Sequence, residues 1–167
     1  MGMGKQATSE GDRMPAEDAG AYLPHEAPMV LLSGCVPAGA GEPVEAWVEV
    51  GEKSPFFDAE LGGVPGCVAL EYMAQAAALW VGRMRAANGM APAVGFVLGT
   101  RRMEVSVPAF VPGVRYAVKA DCSYRDEAFA AFDCEGLGAG VRRAAAAQIT
   151  AFQPKGVAAP EDLEVFA

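Results

Sequence analysis

Between Glu60 and Arg83 the sequence carries one charged residue, Glu71. It sits in residues 64–87, VPGCVALEYMAQAAALWVGRMRAA, a stretch of Ala, Leu and Met that are strong helix formers. Pro65-Gly66 fits a first helical turn, where the missing proline N–H would have no partner in any case, and Asn88-Gly89 supplies the stop. A helix apolar on almost every face is buried on almost every face. The rest of the chain must therefore enclose this one, and Glu71 is expected to be a carboxylate inside a core. Gln75 lies one turn later on the same side, within reach of a hydrogen bond. A carboxylate so placed is either a structural group satisfied by its neighbours or a group retained for chemistry.

What surrounds the helix is limited by length and charge. With 167 residues the chain fits one domain with a real core, here drawn as residues 15–154 between tails at 1–14 and 155–167. No apolar run reaches membrane-span length, since Glu71 and Gln75 interrupt the longest. A net charge of −8 argues against nucleic acid as a partner. The opening MGMGKQATSEGDRM lacks the apolar core of a secretory signal, and Gln6 breaks the myristoylation pattern. Cys35, Cys67, Cys122 and Cys134 form no CxxC pair and no zinc spacing. With a single histidine in the chain, no metal site is expected, and free thiols fit a reducing cytoplasm.

Taken in order, residues 15–19 suit a short helix with proline at its start and acids in its first turn. Pro24 and Pro28 then hold the chain extended around His25. Residues 44–50 alternate, with Val44, Ala46, Val48 and Val50 facing one way, as in a strand with one buried face. Ser54-Pro55-Phe56-Phe57-Asp58 forms a loop. After the helix come strand candidates at 93–98 and 102–107, interrupted at Gly99, then 114–120, 129–134 and 145–152. The alanine run 144–147 has better helix than strand propensity. One long helix among antiparallel strands is an α+β pattern, and a sheet wrapped around a single central helix is the hotdog fold. The edge strand of such a sheet commonly pairs with a second subunit.

Three ordered segments resemble the 3-hydroxyacyl-(acyl carrier protein) dehydratases of fatty-acid synthesis: Leu23-Pro24-His25-x-x-Pro28-Met29-x-Leu31-Leu32, Pro55-Phe56-Phe57-Asp58, and Val64-Pro65-Gly66-x-x-x-Leu70-Glu71-x-Met73-Ala74-Gln75. LPHEAPM, SPFFD, LGGVPG, LEYMAQAAA, GFVLGTRR and the terminal FQP are similar to the dehydratases of aryl-polyene pathways. One departure matters: where the fatty-acid enzymes carry a histidine after the paired phenylalanines, this chain has Glu60. Glu26 and Ser33 also replace an Arg and an Asp common in the family.

The resemblance implies loss of water from a 3-hydroxyacyl thioester, with no cofactor beyond the phosphopantetheine arm of an acyl carrier protein. That reaction needs a base at C2, an acid at the C3 oxygen and dipoles on the thioester oxygen. His25 would be the base. Glu71, enclosed by apolar neighbours, would keep its proton and act as donor. Backbone N–H groups at Gly66 and Cys67 would face the thioester oxygen, although Gly66 equally suits a plain helix start. Gln75 would orient Glu71. Phe56 and Phe57 would wall the substrate, unless they are simply core aromatics. Arg101 and Arg102, then Arg83 and Arg85, are candidates for docking an acidic carrier protein, against ordinary solvated arginines. In related hotdog dimers, homomeric or with a related hotdog subunit, the acid and base come from different chains. A hotdog thioesterase using Glu71 to activate water, or a noncatalytic acyl-binding subunit of a heteromeric dehydratase, are the alternatives.

Overall fold

The computed structural model describes residues 15–138 and 141–154, with backbone alone at 141 and 142. The tails expected at 1–14 and 155–167 lie outside the described residues. Among the described residues there are eight strands: β1 (Gly34–Cys35), β2 (Val44–Glu49), β3 (Val64–Pro65), β4 (Phe96–Val105), β5 (Ala109–Phe110), β6 (Arg115–Arg125), β7 (Phe129–Gly138) and β8 (Val141–Phe152). The helix α1 spans Ala69–Ala86. Six strands form one antiparallel sheet in the order β1-β2-β6-β7-β8-β4, and β3 pairs with β5 in a small second sheet.

Helix α1 lies against one face of the large sheet. Met73 and Leu79 share one core cluster with Val44, Val48, Phe132 and Ile149, all within 2 % of full burial. The alternation in β2 appears as expected, with Val44, Ala46 and Val48 buried and Glu45 and Glu49 turned outward to pair with Lys119 and Arg115 on β6. Trp47, on the outward side, is nevertheless buried, with the Arg115 guanidinium 4.9 Å from its ring centre.

Several local expectations change. The turn near the start is a 3-10 helix at Ala19–Tyr22, capped by the Asp18 carboxylate accepting from Gly20 N–H, because Glu17 is occupied in an antiparallel bridge to Cys35. Gly99 does not break β4, which runs through it with irregular register on either side of Gly99-Thr100. Pro65 ends β3, and a 3-10 turn at Gly66–Val68 separates it from α1. The alanine run is strand, because β8 has ladders to both β7 and β4 and Ala144, Ala145 and Ala147 are buried there. Tertiary pairing overrides the weak helix preference of alanine. Nor is α1 enclosed on every side: Glu71, Ala74, Ala78 and Val81, spaced three or four residues apart, form a half-open stripe.

Candidate active site

That stripe is one wall of a cavity of about 360 Å³. The other walls are strand residues, among them Phe96, Phe129, Phe132, Ile149 and Phe152, and His25 and Glu71 both lie on its lining. An apolar hollow with a few convergent polar groups has the general form of a small-molecule site. From Glu71 to Val81 the helix advances roughly 15 Å at 1.5 Å per residue, so the polar pair stands near one end of a long apolar wall.

The two polar groups are brought together by the extended segment around Pro24. His25 Nε2 lies 3.7 Å from Glu71 Oε1 on the same chain, although 46 positions separate them in sequence. Their side chains are 29 % and 38 % exposed. The full burial expected for Glu71 is therefore not found; the stripe of α1 that carries it faces the cavity rather than the packed core. The fully buried polar residue is Gln75. Its Nε2 donates to Glu71 Oε1 at 2.9 Å and to the Met29 carbonyl at 2.7 Å, while its Oε1 accepts from Leu31 N–H at 2.9 Å. Gln75 thus uses one amide to aim the carboxylate and to pin the segment that presents His25. His25 Nδ1 is buried with no protein acceptor.

Other expected site residues fall elsewhere. The Gly66 N–H is committed to the Pro108 carbonyl, and a methyl at Gly66 would overlap the Val107 carbonyl oxygen. Its lack of a side chain is thus explained by packing against the chain before β5, which removes its N–H as a substrate donor. Cys67 is exposed at the helix start. Phe56 is half-exposed at φ 64, a left-handed conformation unusual for a bulky residue, and Phe57 packs on the core's edge. Neither lines the His25–Glu71 cavity. Glu60 sits in the turn after them, its N–H bonded to the Asp58 carboxylate.

Among the arginines, Arg83 cannot dock a partner. It is 4 % exposed, and its Nη2 donates to Glu17 Oε2 at 3.0 Å and the Val36 carbonyl at 2.6 Å. Arg85 is turned to the Ala91 carbonyl. Arg101 and Arg102 are exposed on the edge strand β4, and Arg102 pairs with Glu104.

Sequence reasoning missed the strand side of the cavity. Phe129 and Phe152 are register partners across β7 and β8, with ring centres 5.1 Å apart. Their pairing depends on strand register, which no local motif encodes. The tip of the β6–β7 hairpin, including Arg125 and Asp126, also borders the cavity. Asp126 accepts from the Phe129 and Ala128 N–H groups, which hold its carboxyl below the ordinary range. Among the described residues no cluster of His, Cys, Asp and Glu could hold a metal ion, and no helix is long and apolar enough to cross a membrane.

Comparison with known proteins gives this arrangement a context. A family model described as ApeP dehydratase, of the ApeP-like family, matches residues 17–163. The solved dehydratase heterocomplex ApeI:P from Xenorhabdus doucetiae contains a chain 33 % identical over 83 % of this chain and 91 % of that one, with a TM-score of 0.75. The same fold appears in a hypothetical thioesterase with coenzyme A from Streptococcus pneumoniae, at 15 % identity, 71 % and 82 % coverage and TM-score 0.55. The PaaI protein of Escherichia coli, from a phenylacetic acid degradation operon, has 11 % identity, 71 % and 81 % coverage and TM-score 0.55. The last two likenesses concern the hotdog fold alone. No curated protein matches the chain.

Proposed function

The chain belongs to the ApeP-like dehydratase family, and from that premise we propose that His25 and Glu71 remove water from a 3-hydroxyacyl thioester delivered by an acyl carrier protein. The observation that carries this reading is the 3.7 Å approach of His25 Nε2 to Glu71 Oε1 at the rim of an apolar cavity. The substrate's thioester end would sit at the pair and its acyl chain along the Glu71–Val81 stripe, as in the assembly of an aryl polyene.

The chemistry follows from that placement. Neutral His25 takes the C2 proton, the C–H electrons form the C2–C3 double bond, and the C3–O bond breaks. Glu71 in its acid form gives its proton to the departing oxygen, so that water leaves rather than hydroxide. The pair is left as imidazolium and carboxylate. Because the two groups face each other, the proton can return from Nε2 to Oε1 and reset them for the next turnover. Gln75 holds the carboxylate in place throughout. Glu71 is half-open in the single chain, so the acyl chain itself must displace water from its surroundings.

Heteromeric assembly in the 33 % identical relative supports pairing with a related hotdog subunit. The exposed apolar side chains Val97, Leu98 and Val105 on the sheet edge suit such a partner. Arg101 and Arg102 on the same strand are exposed cations that an acidic carrier protein would meet, Arg102 already paired with Glu104. No cofactor enters the scheme.

Mass spectrometry of a 3-hydroxyacyl carrier protein incubated with the purified protein, alone and with its paired subunit, tests the proposal. Loss of one water from the acyl chain supports it. Release of free carrier protein would instead make this a thioesterase, and an unchanged substrate in both mixtures would make it a binding subunit.

A further inference from the structure

Residues 17–31 run as a strap along α1, and His25 lies within it. The strap is held at two places. Toward the start of α1, Gln75 binds Met29 and Leu31. Toward its end, Arg83 donates to Glu17 Oε2 at 3.0 Å and lies with its guanidinium carbon 5.4 Å from the centre of the Tyr22 ring. Beside it the backbone carbonyl of Tyr22 comes so close to Gly82 that a methyl group there would overlap it. The two holds are eight residues apart on α1, roughly 12 Å along the axis.

Between Tyr22 and His25 there is little slack. Three residue steps span at most about 11 Å, Leu23 is already extended at φ −102 and ψ 144, and its side chain is buried. A shift of Tyr22 must therefore pass to His25. Arg83 is also an expensive way to fill space: a 4 % exposed guanidinium, with Nε and Nη1 lacking acceptors, is harder to bury than an aliphatic chain. What it contributes beyond volume is a fixed register, since its Nη2 meets Glu17, Cys35 Sγ and the Val36 carbonyl at once.

We propose that Arg83, with Glu17 and Gly82, is a positioning residue that sets the place of His25 against Glu71 from the opposite end of α1. The proposal rests on the reading of His25 as the base, but its test does not. His25 is the only histidine in the chain, so its imidazole signals can be followed without ambiguity by NMR in the full chain, labelled selectively if a paired subunit is present. In E17Q and R83M the His25 ring signals should move toward free-imidazole positions, while the indole signal of Trp80, packed on Phe132, stays in place. Dehydration should show kcat reduced roughly tenfold or more with KM little changed, because misplacement by about 1 Å is costly to a proton-transfer group. R83K, which keeps the charge, should recover part of the loss.

His25 signals unmoved in folded E17Q and R83M would overturn the proposal and leave Arg83 a structural anchor. Should R83M unfold, E17Q decides, since Glu17 is 36 % exposed and can lose its charge without opening the core. Moved signals with unchanged dehydration would instead remove His25 from the reaction while leaving the positioning intact.

Discussion

At the residue scale the site divides labour between a carboxylate that faces the cavity and an amide buried behind it. Glu71 was conspicuous in the sequence because it stands alone in an apolar helix. Glu71 and Gln75 lie only about 40° apart around the helix axis, so which of them is buried depends on how the helix is rotated against the sheet, and sequence could not settle that. Gln75→Leu should fill the same space yet leave the Met29 carbonyl and Leu31 N–H unpaired, at about 1–3 kcal/mol for each group. Urea unfolding should show that loss; an unchanged midpoint would mean the strap is held by other contacts. The thiols separate by the same logic of burial. Desolvation, reinforced by the Asp133 charge, pushes the Cys134 thiol up to about 12, whereas Cys67 is exposed. Iodoacetamide at about pH 8.5 should label Cys67 in the folded protein and spare Cys134. Since the folded thiol holds its proton longer than the unfolded one, Cys134 contributes stability that is full below its ordinary value of 9.0 and lost as pH rises toward about 12. Labelling of Cys134 at the same rate as Cys67 would show that the core opens.

At the element scale the most legible feature was α1, whose composition requires enclosure. The period-2 pattern of β2 was equally plain. Less legible was β8, because alanine carries almost no preference for the strand it occupies. Its place is fixed by ladders to β7 and β4 and by the need for small side chains on the buried face. Ala147→Leu, at 6 % exposure opposite Cys134, should therefore overpack the core and cost about 1–3 kcal/mol. A thermal melt checks this, and a rise in Tm would show unfilled space there. The strap around His25 was legible as motif but not as geometry. Its two prolines announced an extended segment, while its contacts with Gly82 and Arg83 join positions about sixty residues apart that no local pattern links. Arg83 is hidden from the sequence for that reason: an arginine in the last turn of a helix is usually solvated, and here Glu17 and the Val36 carbonyl draw it inward.

At the scale of the whole molecule, hotdog architecture follows from one long apolar helix packed on an antiparallel sheet, and family membership agrees with it. The sheet ends at β1 on one side and at β4 on the other, and on β4 Val97, Leu98 and Val105 are exposed. His25 and Glu71 nonetheless approach to 3.7 Å within one chain, so the chemistry proposed here does not need a second subunit to supply either group. That is the central claim, and single-turnover dehydration of a carrier-bound 3-hydroxyacyl chain, followed by intact mass, tests it most directly. Wild type should convert the substrate to its dehydrated form, and H25A and E71Q should each be slower by about 10²–10⁴ while melting as folded proteins. Dehydration by E71Q at the wild-type rate would contradict the account and reduce Glu71 to a partner of Gln75.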